Sequence, residues 1–211
     1  MEFSASDMIR FGWETFKKRP WFFIQVMVVQ VLLTWAINVL SAQFSDGSAL
    51  SFIGTALRIA LSMLLSMGVT ALLLKAHDAV ESAALEDLWH PRPFWQYLGA
   101  GLLYGLGIFV GIILLIIPGI IVLLTYQFAS YVVVDRNFGP IKALKESARI
   151  TRGHRLELLL LFLLVLILNI AGLLALVVGL FVTIPVTMLA VVHAYRTLEH
   201  KASEITPAPV V

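Results

Sequence analysis

Polar side chains recur at helical spacing inside two apolar stretches of this chain. Thr55, Arg58, Ser62, Ser66 and Thr70 follow one another at intervals of 3, 4, 4 and 4, and Gln30, Thr34 and Asn38 at intervals of 4. Each set therefore runs along one stripe of a helix. Two kinds of chemistry suit such stripes. Facing each other, they would line a polar pathway in which Arg58 attracts an anionic group such as a phosphate. Otherwise they form hydrogen bonds between helices, each worth about 0.6 kcal/mol, while Arg58 reaches outward to offset a central insertion cost of roughly 2.5–3.5 kcal/mol.

Groups for making and breaking bonds are scarce. His77, His90, His154, His193 and His200 have no metal-ligand spacing with a carboxylate. No Ser/His/Asp set or carboxylate pair emerges, and the absence of cysteine excludes thiol catalysis, disulfides and Cys-ligated zinc. Glu157 is the only acid at the edge of an apolar span, two residues beyond Arg155, and no acid lies in a span centre. A proton relay or cation-coupled transporter of the usual kind then lacks its titratable group. Tyr126, Gln127, Ser130 and Tyr131 are further candidates for a polar pocket, although a belt of interfacial tyrosines explains two of them. The expectation is a non-enzymatic protein without metal or cofactor.

The elements that position these residues follow from composition. Of 211 residues, 60% are apolar and 13% charged, with a mean hydropathy of +0.93. Soluble proteins have roughly 45–50% and 25%. The reading is an all-α, polytopic membrane protein of one domain over 1–200, with a flexible tail over 201–211. From Tyr97 to Val134 there are 38 residues without a charge. As one helix they would extend about 57 Å, against a hydrocarbon core of about 30 Å. The chain must turn back, and Pro118-Gly119, lacking an N–H and a Cβ, is where the break is expected. The other spans fall at about 21–40, 52–74, 156–171 and 173–192, the last two around a loop near Gly172. A cleaved signal peptide is not expected, because the first apolar run follows some 20 residues of amphipathic sequence and exceeds an h-region of roughly 7–15.

Three hairpins result, each preceded by a short interfacial amphipathic segment. Before the first, Ser4 to Arg19 places Ile9, Trp13 and Phe16 on one side and ends in Lys17-Lys18-Arg19. Glu14 to Phe22 can be laid over Asp87 to Trp95, which suggests that the hairpin unit repeats. Before the third, Pro140 starts a helix that Gly153 ends, with Ile141, Leu144 and Ala148 on one side and Lys142, Lys145, Arg149 and Arg152 mostly on the other. With the N-terminus inside, 14 of the 15 basic residues fall on one face, Arg155 among them, and Arg58 alone lies toward the other. That asymmetry predicts both termini in the cytoplasm. Gly101 with Gly105, and Gly107 with Gly111, form two GxxxG pairs about 200° apart on the third span, fit for close packing in the bundle or for a homodimer.

The run LLIIPGIIVLLTYQFASYVVVDRNFGPIKALKESARITRGHR, with its Pro-Gly break, Ala143-Leu144, Ser147 and Gly153, resembles the membrane domain of bacterial glycerophosphoryl diester phosphodiesterases and its stand-alone YciC-like relatives. The resemblance implies a six-helix protein of the bacterial inner membrane. It does not imply phosphodiesterase activity, which in that family belongs to a separate soluble barrel absent here. The expected partners are membrane lipids, anionic ones in particular, held by Lys17, Lys18, Arg19, Lys142, Lys145, Arg149, Arg152 and Arg155. A second copy or another membrane protein is the other partner expected. Nucleic acid is not expected, since no folded soluble module presents these charges. The alternative function is a small permease with its pathway between spans one and two.

Overall fold

The computed structural model describes residues 4–43, 49–89, 93–175 and 178–205, and all the regular structure in them is helical. In chain order the helices are α1 (Ala5–Lys18), α2 (Pro20–Ala42), α3 (Ala49–Asp78), α4 (Phe94–Leu114), α5 (Ile116–Tyr126), α6 (Ala129–Arg136), α7 (Pro140–Ile150), α8 (Arg155–Leu174) and α9 (Leu180–Ile205). Among the described residues, six stretches are long and apolar enough to cross a membrane, with α5 and α6 together counting as one. α2 packs against α3, α4 against α5, and α8 against α9.

Several expected boundaries and faces move. The turn after α4 falls at Leu115, whose backbone is extended, and not at Pro118-Gly119. Pro118 instead occupies the first turn of α5, where a missing N–H costs little. Gly119 faces Gly111 so closely that a Cβ built on Gly111 would lie 2.9 Å from the Gly119 Cα. The glycine serves the helix crossing, and the turn is made elsewhere. Likewise α8 continues past Gly172 to Leu174, because Gly172 receives Thr183 and Gly179 of the returning chain. α9 extends through Ile205, so the first five residues of the expected tail are helical. Residues 206–211 lie outside the described part.

The amphipathic segments also differ from expectation. α1 packs along α9 and buries Met8, Gly12, Thr15 and Phe16, while Trp13 is 44% exposed. Its buried stripe is centred on Gly12, where the absence of a side chain lets two backbones meet. In α7 the buried side is Ala143, Ser147 and Ile150, and Ile141 is 64% exposed. Before α4 there is no amphipathic α-helix among the described residues, only two 3-10 turns at Val80–Ser82 and Leu85–Leu88. Of the Asp87 to Trp95 stretch laid over Glu14 to Phe22, residues 90–92 lie outside the described part.

The core is concentrated at one end. Phe22, Phe23, Val26 and Met27 of α2 are buried, but none of the helix beyond them is, and most of it is exposed. α3 buries Met67, Leu72 and Leu73 near its end and exposes Phe52 at 80% near its start. Tyr195, Phe128, Leu189 and Leu198 complete a closed end built from α1, the end of α3, α6, α7 and the end of α9. Trp35, Ile113, Ile116 and Leu174 are among the large apolar residues left exposed elsewhere.

Candidate functional site: the polar cluster and basic surface of the closed end

Helix ends that carry charges just after apolar runs converge at Arg196. Its Nη1 donates to Asp135 Oδ2 at 2.9 Å and Glu199 Oε2 at 3.2 Å, and its Nη2 donates to Asp78 Oδ2 at 2.8 Å. The Tyr195 hydroxyl donates to Asp135 Oδ2 at 3.0 Å. One guanidinium thus ties α3, α6 and α9 together, which suits its fixed fork of donors. Alongside, His77 Nδ1 lies 3.0 Å from Asp78 Oδ1, and His77 Nε2 lies 2.9 Å from His193 Nδ1. The carboxylate can only accept, so His77 Nδ1 carries the hydrogen; in the neutral ring its Nε2 then accepts from His193 Nδ1. Phe11 of α1 stacks on His193 with ring centroids 3.8 Å apart.

A second set joins α6, α7 and α9. Arg136 pairs with Glu146 at 3.1 Å and with Glu199, and Arg149 donates to both Glu146 oxygens and to the Ala202 carbonyl. The hydrogen bond from Arg149 holds the Glu146 carboxyl below its ordinary range, with Arg149, Arg136 and Lys142 charges adding to that and burial opposing it. Ser147 of α7 and Thr151, which caps it, reach the bend between α5 and α6. The Ser147 hydroxyl donates to the Thr125 carbonyl at 2.8 Å and accepts from the Phe128 N–H at 3.2 Å, while the Thr151 hydroxyl donates to the same carbonyl at 3.1 Å. Backbone groups freed by the bend are thereby satisfied.

The expected basic residues divide into two groups. Lys17 pairs with Glu14, Arg149 is held as above, and Arg19 Nη1 donates to the carbonyls of Val80, Glu81 and Ala83. These three are occupied within the fold. Lys18, Lys142, Lys145, Arg152 and Arg155 are exposed and take no acidic partner among the described residues, although Lys142 Nζ stands 3.9 Å from the Phe138 ring centroid.

The two polar stripes are not brought together. The groove between α2 and α3, about 530 Å³, is lined mostly by apolar residues, Val29, Leu33, Ile37, Leu61, Leu64 and Leu65 among them, with Glu86 its one charged residue. Gln30 is partly buried; Thr34, Asn38, Thr55 and Ser62 are exposed. Asn38 bonds the Thr34 carbonyl and Thr70 the Ser66 carbonyl, each within its own helix. Arg58, Ser62 and Ser66 border a shallow depression of about 290 Å³ with Tyr97 of α4. Of the glycines, Gly107 and Gly111 receive α5, whereas Gly101 and Gly105 have open space where a Cβ would stand. Tyr131 packs on Phe128 and Tyr195, and Gln127 bonds the Leu124 carbonyl. Among the described residues no group of three His, Asp or Glu could hold a metal ion.

Counting Lys and Arg for sidedness passes over the acids. Glu157, expected to be the only acid at a span edge, is not alone: Asp135 directly follows an apolar run, and Asp78 and Glu199 lie within a few residues of two others, beside the cations they neutralise. Their recurrence at those ends is the sequence signal for this cluster. Asn169, whose amide donates to Thr187 Oγ1 at 3.2 Å between α8 and α9, is a further polar bridge that the stripes do not reveal.

Fold and surface define a class: a protein whose described residues are helical in all their regular structure and include six helices long and apolar enough to span a membrane. Within it, the chain belongs to the family described as Domain of unknown function (DUF7847), which matches residues 92–209. The Uncharacterized protein Rv2560 of Mycobacterium tuberculosis and the Uncharacterized protein Mb2590 of Mycobacterium bovis are each 30% identical to it over 162 residues, 76% of this chain and 50% of theirs. The chain therefore spans about half the length of the curated relatives it matches. No solved structure matches it. The family shown is this one; the resemblance to phosphodiesterase membrane domains is not reproduced by these matches.

Proposed function

We propose that the protein is a non-enzymatic, multi-pass protein of a bacterial inner membrane, with both termini cytoplasmic and three hairpins in the bilayer, whose basic cytoplasmic face gathers anionic lipids or partner membrane proteins. The observation that carries this is the division of the cations. Those facing inward are matched by acids or carbonyls, whereas Lys18, Lys142, Lys145, Arg152 and Arg155 are exposed without an acidic partner among the described residues. Each such cation near an anionic surface contributes about 1 kcal/mol. On this reading α1 and α7 lie at the membrane boundary, and the open space at Gly101 and Gly105 leaves one face of α4 for a second copy. Kinship with phosphodiesterase membrane domains and YciC-like proteins rests on the run from Leu114 to Arg155, with its Pro118-Gly119 break, Ala143-Leu144, Ser147 and Gly153, and on weaker similarity from Phe16 to Arg196; no catalytic role comes with it. A permease pathway between α2 and α3 draws less support, given the apolar groove there.

The test uses protein reconstituted in mixed phosphatidylglycerol and phosphatidylcholine bilayers, with the retained lipids counted by mass spectrometry. Enrichment of phosphatidylglycerol is expected, and it is lost when Lys142, Lys145 and Arg152 are all changed to Glu. Equal retention by parent and variant would sink the reading. Sidedness is checked separately by labelling Ile117→Cys and Lys145→Cys, in a chain that has no native cysteine.

A further inference from the structure

Between the start of α1, the first half of α8 and the end of α9 runs a groove of about 770 Å³. It is polar at one end, where Ser4, Ser6, Glu157 and Lys201 meet, and apolar at the other, where Leu160, Leu163, Leu164 and Ile167 line it. Glu157 and Ile167 are ten residues apart, about 15 Å along a helix. Leu160, Leu163 and Ile167 are each about half exposed, so an apolar strip opens sideways from the groove. Lys201 takes no acidic partner among the described residues, and the partly exposed Glu157 carboxylate has a long ion-pair contact of 3.8 Å to His154 Nδ1, a charge pair only when that ring is protonated. A charge of each sign is therefore available at the polar end.

We infer that this groove seats one aminophospholipid of the phosphatidylethanolamine kind. Its phosphate lies on Lys201, its primary ammonium donates to Glu157 and a serine hydroxyl, and one acyl chain lies along α8. The inference rests on the membrane reading above but not on the anionic surface, because the groove's own charges cancel. Headgroup chemistry decides among occupants. A choline ammonium has no N–H to donate, and a glycerol headgroup brings no cation for Glu157, whereas a primary ammonium brings three donors.

The full chain in mild detergent is offered equal amounts of phosphatidylethanolamine, phosphatidylcholine and phosphatidylglycerol and examined by native mass spectrometry. One retained phosphatidylethanolamine is expected. Glu157→Gln should lower its retention about tenfold, as loss of one charge-assisted hydrogen bond implies. Glu157→Lys should turn the preference toward phosphatidylglycerol, and Leu164→Trp, which fills the groove, should reduce retention of all three. Because Leu164→Trp can disturb folding, the Glu157 variants carry the decision. Equal retention of the three lipids by the parent, or unchanged selectivity in Glu157→Lys, overturns the inference. The Lys142, Lys145, Arg152 triple variant should keep its phosphatidylethanolamine, so failure of the anionic-surface reading is seen separately.

Discussion

α3 contains the contrast that organises the molecule. Its last third, from Met67 to Ala76, is enclosed by neighbours that include α6, α9 and the 3-10 turns, while its first third presents Phe52, Ile53 and Leu57 outward. The two ends have similar apolar content but different neighbours. At the closed end, protein supplies the contacts and ion pairs neutralise the charges that terminate each apolar run. At the open end the side chains project from separate helices, as expected of surface that lipid covers. Rigidity and specificity should therefore reside at the closed end, and substitutions at the open end should be tolerated in detergent.

The sharpest way to break this contrast is Asp135→Ala. It removes an acceptor shared by Arg196 and Tyr195, and loss of one partner from a largely buried pair costs 3–5 kcal/mol. Because Arg196 keeps Asp78 and Glu199, a destabilisation of about 3 kcal/mol is expected by thermal unfolding in detergent. An unchanged midpoint would mean that the charged cluster does not hold the closed end together. Next is Gly12→Ala, whose Cβ would stand 2.2 Å from the Val186 carbonyl oxygen. Pushing α1 off α9 should cost about 2 kcal/mol and expose α1 to protease. Gly105→Ala, with open space at that position, is the matched control and should leave the monomer unchanged. If both glycines tolerate Ala, α1 is not a fixed part of the closed end.

Smaller effects sharpen the comparison. Ser147→Ala leaves the Phe128 N–H without its acceptor and should lower stability by about 1 kcal/mol, with faster amide exchange at the α5–α6 bend. The smallest effect concerns pH. Glu146 has its pKa lowered in the folded state, so the unfolded chain takes up a proton first as pH falls. Its contribution is complete above the ordinary value of 4.5 and is lost as pH falls below it toward the lowered one. Glu146→Gln should be less stable than the parent near neutral pH, and the difference should shrink in acid. A constant difference across that range would show that the pairing with Arg149 contributes nothing.

Much of the architecture was legible in the residues themselves. A 38-residue uncharged run needs a reversal whatever its neighbours are, and Pro140 and Gly153 bracket α7 through local backbone preferences. Which face of a short helix turns inward was not legible. Ile9-Trp13-Phe16 and Ile141-Leu144-Ala148 are the more apolar sides, yet of these only Phe16 is buried; α1 also buries Met8, Gly12 and Thr15, and α7 buries Ala143, Ser147 and Ile150. Small and hydroxylated residues share those faces with Met8, Phe16 and Ile150 because close approach and backbone hydrogen bonding count there as well as side-chain hydropathy. Of the candidate site, the cations could be listed in advance, but not which of them the fold would neutralise.

The sequence by itself determined the number of long apolar helices and the crowding of charge at their ends, since both depend on composition along the chain and on the cost of leaving backbone groups unpaired in an apolar medium. Only the tertiary structure decided that Arg196 unites three helices, that Arg19 is absorbed by a loop while Lys145 stays exposed, and that Glu157 and Lys201 share a groove. Those pairings join residues separated by dozens of positions. They depend on how helices cross, which small residues such as Gly12 and Gly111 set by allowing close approach.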